Sequence, residues 1–278
     1  FLDGSPQGRT AWMRTPYLPE APDKQEKGQG DASPRTHETK EDYCGYNTLE
    51  DSQVKENVLK AELEDMQLLA HCNGDMAAEQ YMDQLETVYR ELGSGHSRKP
   101  GFYRGDIRPV MIHAQLLGLD QLERVKKLGV IPSFFLAHVY HWGDIHADNF
   151  GMERASHISP AASALKEGIV YTFHQDSPVT EPDMLETVWC AVNRCTKSGK
   201  ILGSKERISA ADALKAVTLY TAYQYFEERE RGSIAPGKRA DLVILSENPL
   251  EKEKMQIRDI RVLSTIKDGE VIYRRDSL

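Results

Sequence analysis

No apolar run in the 278-residue sequence approaches the length of a membrane span. Cysteine is scarce, and Cys44, Cys72, Cys190 and Cys195 include no C-x-x-C pair. No disulfide framework is suggested, so a reducing cytoplasm is the expected compartment. Basic charge is not in excess either. The formal net charge is −8, with the charges interspersed, which argues against a nucleic-acid partner. None of the nine histidines stands two residues from another. The opening, FLDGSPQGRT, has no initiator methionine, and Phe1-Leu2 read as the last residues of a strand begun earlier. The expectation is the C-terminal part of a longer protein.

What is present is ordinary for a globular chain. Hydrophobic residues make up 40% and charged residues 28%, and the length allows one large domain or two smaller ones. Residues 16–47 are polar and rich in Pro, Gly, Lys and Glu, which suits either a lid or a disordered loop. Beyond them the pattern alternates. Helical spacing over TLEDSQVKENVLKAELEDM, DMAAEQYMDQLETVYREL and LDQLERVKKLG is interleaved with the short apolar runs QLLAHC, IRPVMIHA, VIPSFFLAHV and IVYTFHQD. Strands alternating with helices predict an α/β fold with a buried parallel sheet. A long loop, YHWGDIHADNFGMERASHIS, is expected after the third run. From Gly232 the sequence becomes β-rich, with KDGE as a hairpin turn. Two parts are therefore expected, residues 1–231 and 232–278.

His71, His113, His138 and Asp176 each close one predicted strand. In α/β barrels the C-terminal ends of strands carry the chemistry. A single histidine there is more often a satisfied hydrogen-bonding group than a ligand. Four such residues in succession fit that explanation poorly. Imidazole and carboxylate are what a hydrolytic divalent metal needs, and a carboxylate beside the attacking water can carry its proton. His174 and Gln115 are candidates to touch substrate, and Trp142 to wall an organic amide. The density of His141, Asp144, His146 and Asp148 reads either as a substrate-covering loop or as a second metal site.

The motifs AHCNGD, RPVMIHAQ, SFFLAHVYHWGD, ISPAASALKEGIVYTFHQDSPV and GSIAPGKRADLVIL, with DGSPQGRTAW at the start, together resemble the amidohydrolase superfamily. The branch they resemble contains N-substituted formamide deformylases. That resemblance implies strands four to eight of a (β/α)8 TIM-like barrel, with residues 232–278 returning into a small β-sandwich. It implies His71 and His113 as metal ligands and Asp176 as ligand and proton carrier. His138 would polarise the substrate carbonyl. The cofactor implied is a divalent metal, zinc first, with iron or manganese as alternatives, and the substrate a small amide or N-formyl compound. The family's His-x-His pair is missing here, as are the strands before Phe1. The competing expectation is a non-catalytic barrel half that binds a partner, or one completed by a second copy or a separate chain.

Overall fold

The structure is a computed structural model that describes residues 1–19, 42–93 and 107–275. Most of the polar stretch, residues 20–41, lies outside them, and with it the expectation of a lid or a disordered loop. Four parallel strands form one sheet in chain order: β1 (Leu69–Cys72), β2 (Val110–His113), β3 (Ile131–Phe134) and β4 (Thr172–Phe173). Helices α1 (Asp51–Leu63) and α2 (Asp75–Leu92) flank β1, and α3 (Leu122–Leu128) joins β2 to β3. Between β3 and β4 run α4 (Ala137–Ala155) and α5 (Ala161–Lys166). After β4 come α6 (Met184–Asn193), α7 (Ala210–Val217) and α8 (Leu219–Gln224). The α/β alternation is thus observed. Leu2 adds one backbone bond, its N–H donating to the His71 carbonyl at 2.9 Å along the edge of β1.

Two expectations need correcting. The long loop after the third strand is helix α4, interrupted only at Gly151, whose φ of 76° is left-handed. His138 therefore sits in the first turn of that helix, not at a strand end. The helix hid because the residues it buries include Gly143, His146 and Asn149 rather than an apolar stripe. The strand IVYTFHQD pairs over only two residues, because the chain turns soon after Phe173.

Register sets the rows of the sheet. Cys72, His113, Phe134 and Phe173 align across the four strands, and His71 lies opposite Ile112. The core is continuous through β2, β3, α2 and α6, with Tyr81, Met111, Phe134 and Trp189 fully buried.

The C-terminal part is one antiparallel sheet of β5 (Leu242–Leu245), β6 (Val262–Lys267) and β7 (Glu270–Arg274), with the expected hairpin at Asp268-Gly269. It is tied to α6 through Trp189 Nε1, which donates to the Met255 carbonyl at 2.9 Å. Val243, Ile244, Val271 and Ile272 are exposed.

The end of the sheet opposite the histidines is locked by Arg108. Its guanidinium donates to both oxygens of Glu228 at 3.0 and 2.9 Å and to the Tyr223 carbonyl, and lies 3.7 Å from the Tyr223 ring centroid. The pairing with Arg108 holds the Glu228 carboxyl below its usual range. Arg108→Ala is expected to cost about 2–3 kcal/mol in urea unfolding, less than a fully sealed pair because Glu228 is partly solvated.

Candidate active site

His71 enters the site from the next-to-last position of β1. Strict alternation would put the His113 side chain on the face of its row partners Cys72 and Phe134. Instead His113 and Ala114 have φ of 72° and 43°. Two consecutive non-glycine residues in that region are unusual, and such strain concentrates at functional sites. The break swings the imidazole beside His71, with ring centroids 4.6 Å apart at 84°. Cross-strand pairing holds it there. Ser133 Oγ lies 2.9 Å from His174 Nδ1, and His174 Nε2 lies 3.1 Å from His113 Nδ1. That leaves His113 Nε2 as its free ring nitrogen. His174 thus orients a neighbouring histidine, a role its sequence position alone did not distinguish from substrate contact.

Asp3, passed over in the sequence, anchors the other side. Its sealed carboxylate accepts from the N–H groups of Asn73 at 2.9 Å, Gly74 at 2.7 Å and Trp12 at 3.0 Å. A side chain on Gly74 would strike the Trp12 carbonyl oxygen at 1.8 Å, so only glycine fits this turn. Asp3 Oδ1 is also 3.4 Å from His71 Nδ1, close enough for an ion pair with a protonated ring but not aligned as a hydrogen bond. Asn73 Nδ2 donates to the Gly4 carbonyl at 2.9 Å and approaches His71 Nε2 at 3.3 Å.

A second group adjoins the first across Phe135, whose ring is 5.3 Å from His174 and 4.7 Å from His138. His138 is buried, lies 4.6 Å from the Trp142 ring, and pairs with His146. Burial, with His174 and His71 close by, pushes His113 down to about 2. Burial first and His71 second take His174 to about 4. Burial alone takes His146 to about 3, and burial with His146 beside it depresses His138 strongly. All four rings are therefore neutral near pH 7, the form that ligates metals.

Gln115 is buried and donates from Nε2 to Ser159 Oγ at 2.7 Å, bracing the chain after α4. Asp176 is exposed, with φ of 51°, in the turn after β4. Asp144 caps Ser198, its Oδ1 accepting from Ser198 Oγ at 2.6 Å. Among the described residues no three of His, Cys, Asp or Glu converge as a metal-holding group. The donors fit a divalent cation in kind: imidazoles at two adjacent strand ends, with His71 Nδ1 buried and without a hydrogen-bond partner. They account for part of a ligand set.

The model of the amidohydrolase family matches residues 1–273. The chain belongs to the amidohydrolase family. It is 27% identical over 244 residues to N-substituted formamide deformylase of Arthrobacter pascens, covering 86% of this chain and 42% of that protein. It is 29% identical over 231 residues to the Arabidopsis thaliana protein LONG AFTER FAR-RED 3, covering 82% of this chain and 38% of the relative. Among solved structures, an uncharacterized metal-dependent hydrolase from Pyrococcus horikoshii superposes with a TM-score of 0.69 at 26% identity, covering 91% of this chain and 45% of the other. This amidohydrolase chain therefore spans less than half the length of each of these relatives. No helix among the described residues is long and apolar enough to cross a membrane.

Proposed function

We propose that the strand-end face of β1 to β4 is part of a metal-dependent hydrolytic site that acts on a non-peptide C–N bond, in an amide or N-formyl compound. The observation that carries this reading is the His71–His113–His174 cluster, built by a strained turn and a cross-strand hydrogen bond at the ends of successive parallel strands. In this reading β1 to β4 correspond to strands five to eight of a (β/α)8 barrel, and β5 to β7 belong to a β-sandwich. The N-formyl class follows the named activity of the Arthrobacter relative, and the metal that of the Pyrococcus hydrolase.

His71 and His113, with Asp176, are the residues to hold a divalent cation, with zinc, iron and manganese all suited to such donors. A cation so held supplies a polarised substrate carbonyl and a more acidic water. The chain's own groups do the rest. Ser133 fixes His174, and His174 fixes the His113 ring. His138 donates a hydrogen bond to the carbonyl oxygen as negative charge develops on it. Asp176 takes the proton of the attacking water and delivers it to the departing nitrogen. Phe135 and Trp142 form an apolar wall beside His138, which excludes bulk water and strengthens its hydrogen bond.

Assayed with N-formyl amines in zinc or manganese buffer, the chain is expected to hydrolyse the formyl group. Asp176→Asn and His138→Gln should each lower kcat by about a hundredfold or more. Rates unchanged by both substitutions would contradict these roles. A second reading is a non-catalytic half that a second copy or a separate chain completes, and the partial ligand set favours it. Turnover that appears only on adding that other half would support it.

A further inference from the structure

His138 and His146 stand eight residues apart on α4, both buried, and His138 Nδ1 lies 3.0 Å from His146 Nε2. Their rings are within 11° of coplanar with centroids 5.3 Å apart, so they meet edge to edge. Burial keeps both rings neutral near pH 7, so the contact contains one proton. It can be arranged in two ways. If His138 donates from Nδ1, His146 accepts at Nε2 and must carry its own proton on Nδ1. That nitrogen is sealed from solvent and has no hydrogen-bond partner. If His146 donates from Nε2, its Nδ1 is left as a bare lone pair. A buried N–H without an acceptor is the rarer fault in folded proteins, and an under-used acceptor the commoner one.

We infer that His146 is a positioning residue: it donates Nε2–H to His138 Nδ1 and so fixes His138 as the tautomer with its proton on Nε2, the nitrogen left to meet a ligand oxygen. This deepens the hydrolase reading, which it needs only for the use made of that proton. The tautomer is a property of the free protein.

Long-range ¹H–¹⁵N spectra of the full chain, labelled at histidine and recorded near neutral pH, test it. The expected result is a protonated Nε2 and a bare Nδ1 on both His138 and His146. A proton on Nδ1 of either ring overturns the inference, whether or not the chain turns over any substrate. His146→Gln should erase one pattern and leave that of His138 intact, because the carboxamide still donates. Where that variant fails to fold, wild-type signals assigned through the labelled backbone decide the matter. Against an N-formyl substrate, His146→Phe should lower kcat about tenfold or more with KM held, and His146→Gln should restore it. Equal kcat for wild type and the Phe variant overturns the positioning role. Absence of turnover in the wild type contradicts the hydrolase reading alone, and the spectrum still decides the tautomer.

Discussion

Acidification from about pH 7 to about pH 4.5 is expected to unfold the chain, with the loss beginning near pH 6.5, the ordinary histidine value. His113, His138 and His146 are buried as neutral rings, with His113 and His146 depressed to about 2 and about 3. Their stability contribution is complete above the unfolded-state pKa and is withdrawn as pH falls toward the folded values, because the unfolded chain takes up protons that the native chain refuses. Each ring withdraws up to about 1.4 kcal/mol per pH unit over that window. His113 and His146 over two units remove roughly 3–6 kcal/mol, and His138 acts in the same direction, together a large part of the stability of a typical domain. Paired carboxylates would act lower, nearer pH 4, so the onset separates the two causes. Urea midpoints measured across this range check it. A flat profile down to about pH 5 would show that the rings are not sealed as described.

The second large effect is expected from Asp3→Ala. The carboxylate is fully buried and is the acceptor for three backbone N–H groups around the Cys72–Gly74 turn and Trp12. Hydrogen bonds to a buried charge contribute more than neutral ones, and truncation leaves three donors unsatisfied at once. A loss of about 3–6 kcal/mol is expected, with a smaller loss for Asp3→Asn, which keeps one acceptor oxygen. His71 should also lose its fixed position, since the turn that follows it is held by the same carboxylate. Unfolding by urea, together with the ¹H–¹⁵N signals of His71, reads both effects. A change below about 1 kcal/mol would remove Asp3 as the anchor.

How much of this was legible in the sequence varies element by element. Helices α1 to α3 and strands β1 to β3 follow from apolar spacing, which reports the face each segment buries. The same spacing placed His71 and His113 at strand ends. It failed at α4, where burial falls on polar residues satisfied by partners in space, such as His146 on His138 and Asn149, whose Nδ2 donates to the Pro6 carbonyl at 3.0 Å. Asp3 escaped notice for a related reason. Two of its three partners lie about seventy residues along the chain, and all are backbone groups, which leave no mark in side-chain pattern. The left-handed turn at His113 was equally hidden, since nothing in IHAQ calls for positive φ. Periodicity shows where a chain is apolar, and it is silent on which polar group satisfies which.

The most direct test of the central claim is divalent-metal content of the purified chain, by elemental analysis, beside a His71→Ala/His113→Ala double variant shown to remain folded. The expected result is stoichiometric zinc, iron or manganese in the wild type, lost in the variant. Metal at background in both, or retained undiminished by the variant, would contradict a metal site built on these strand ends.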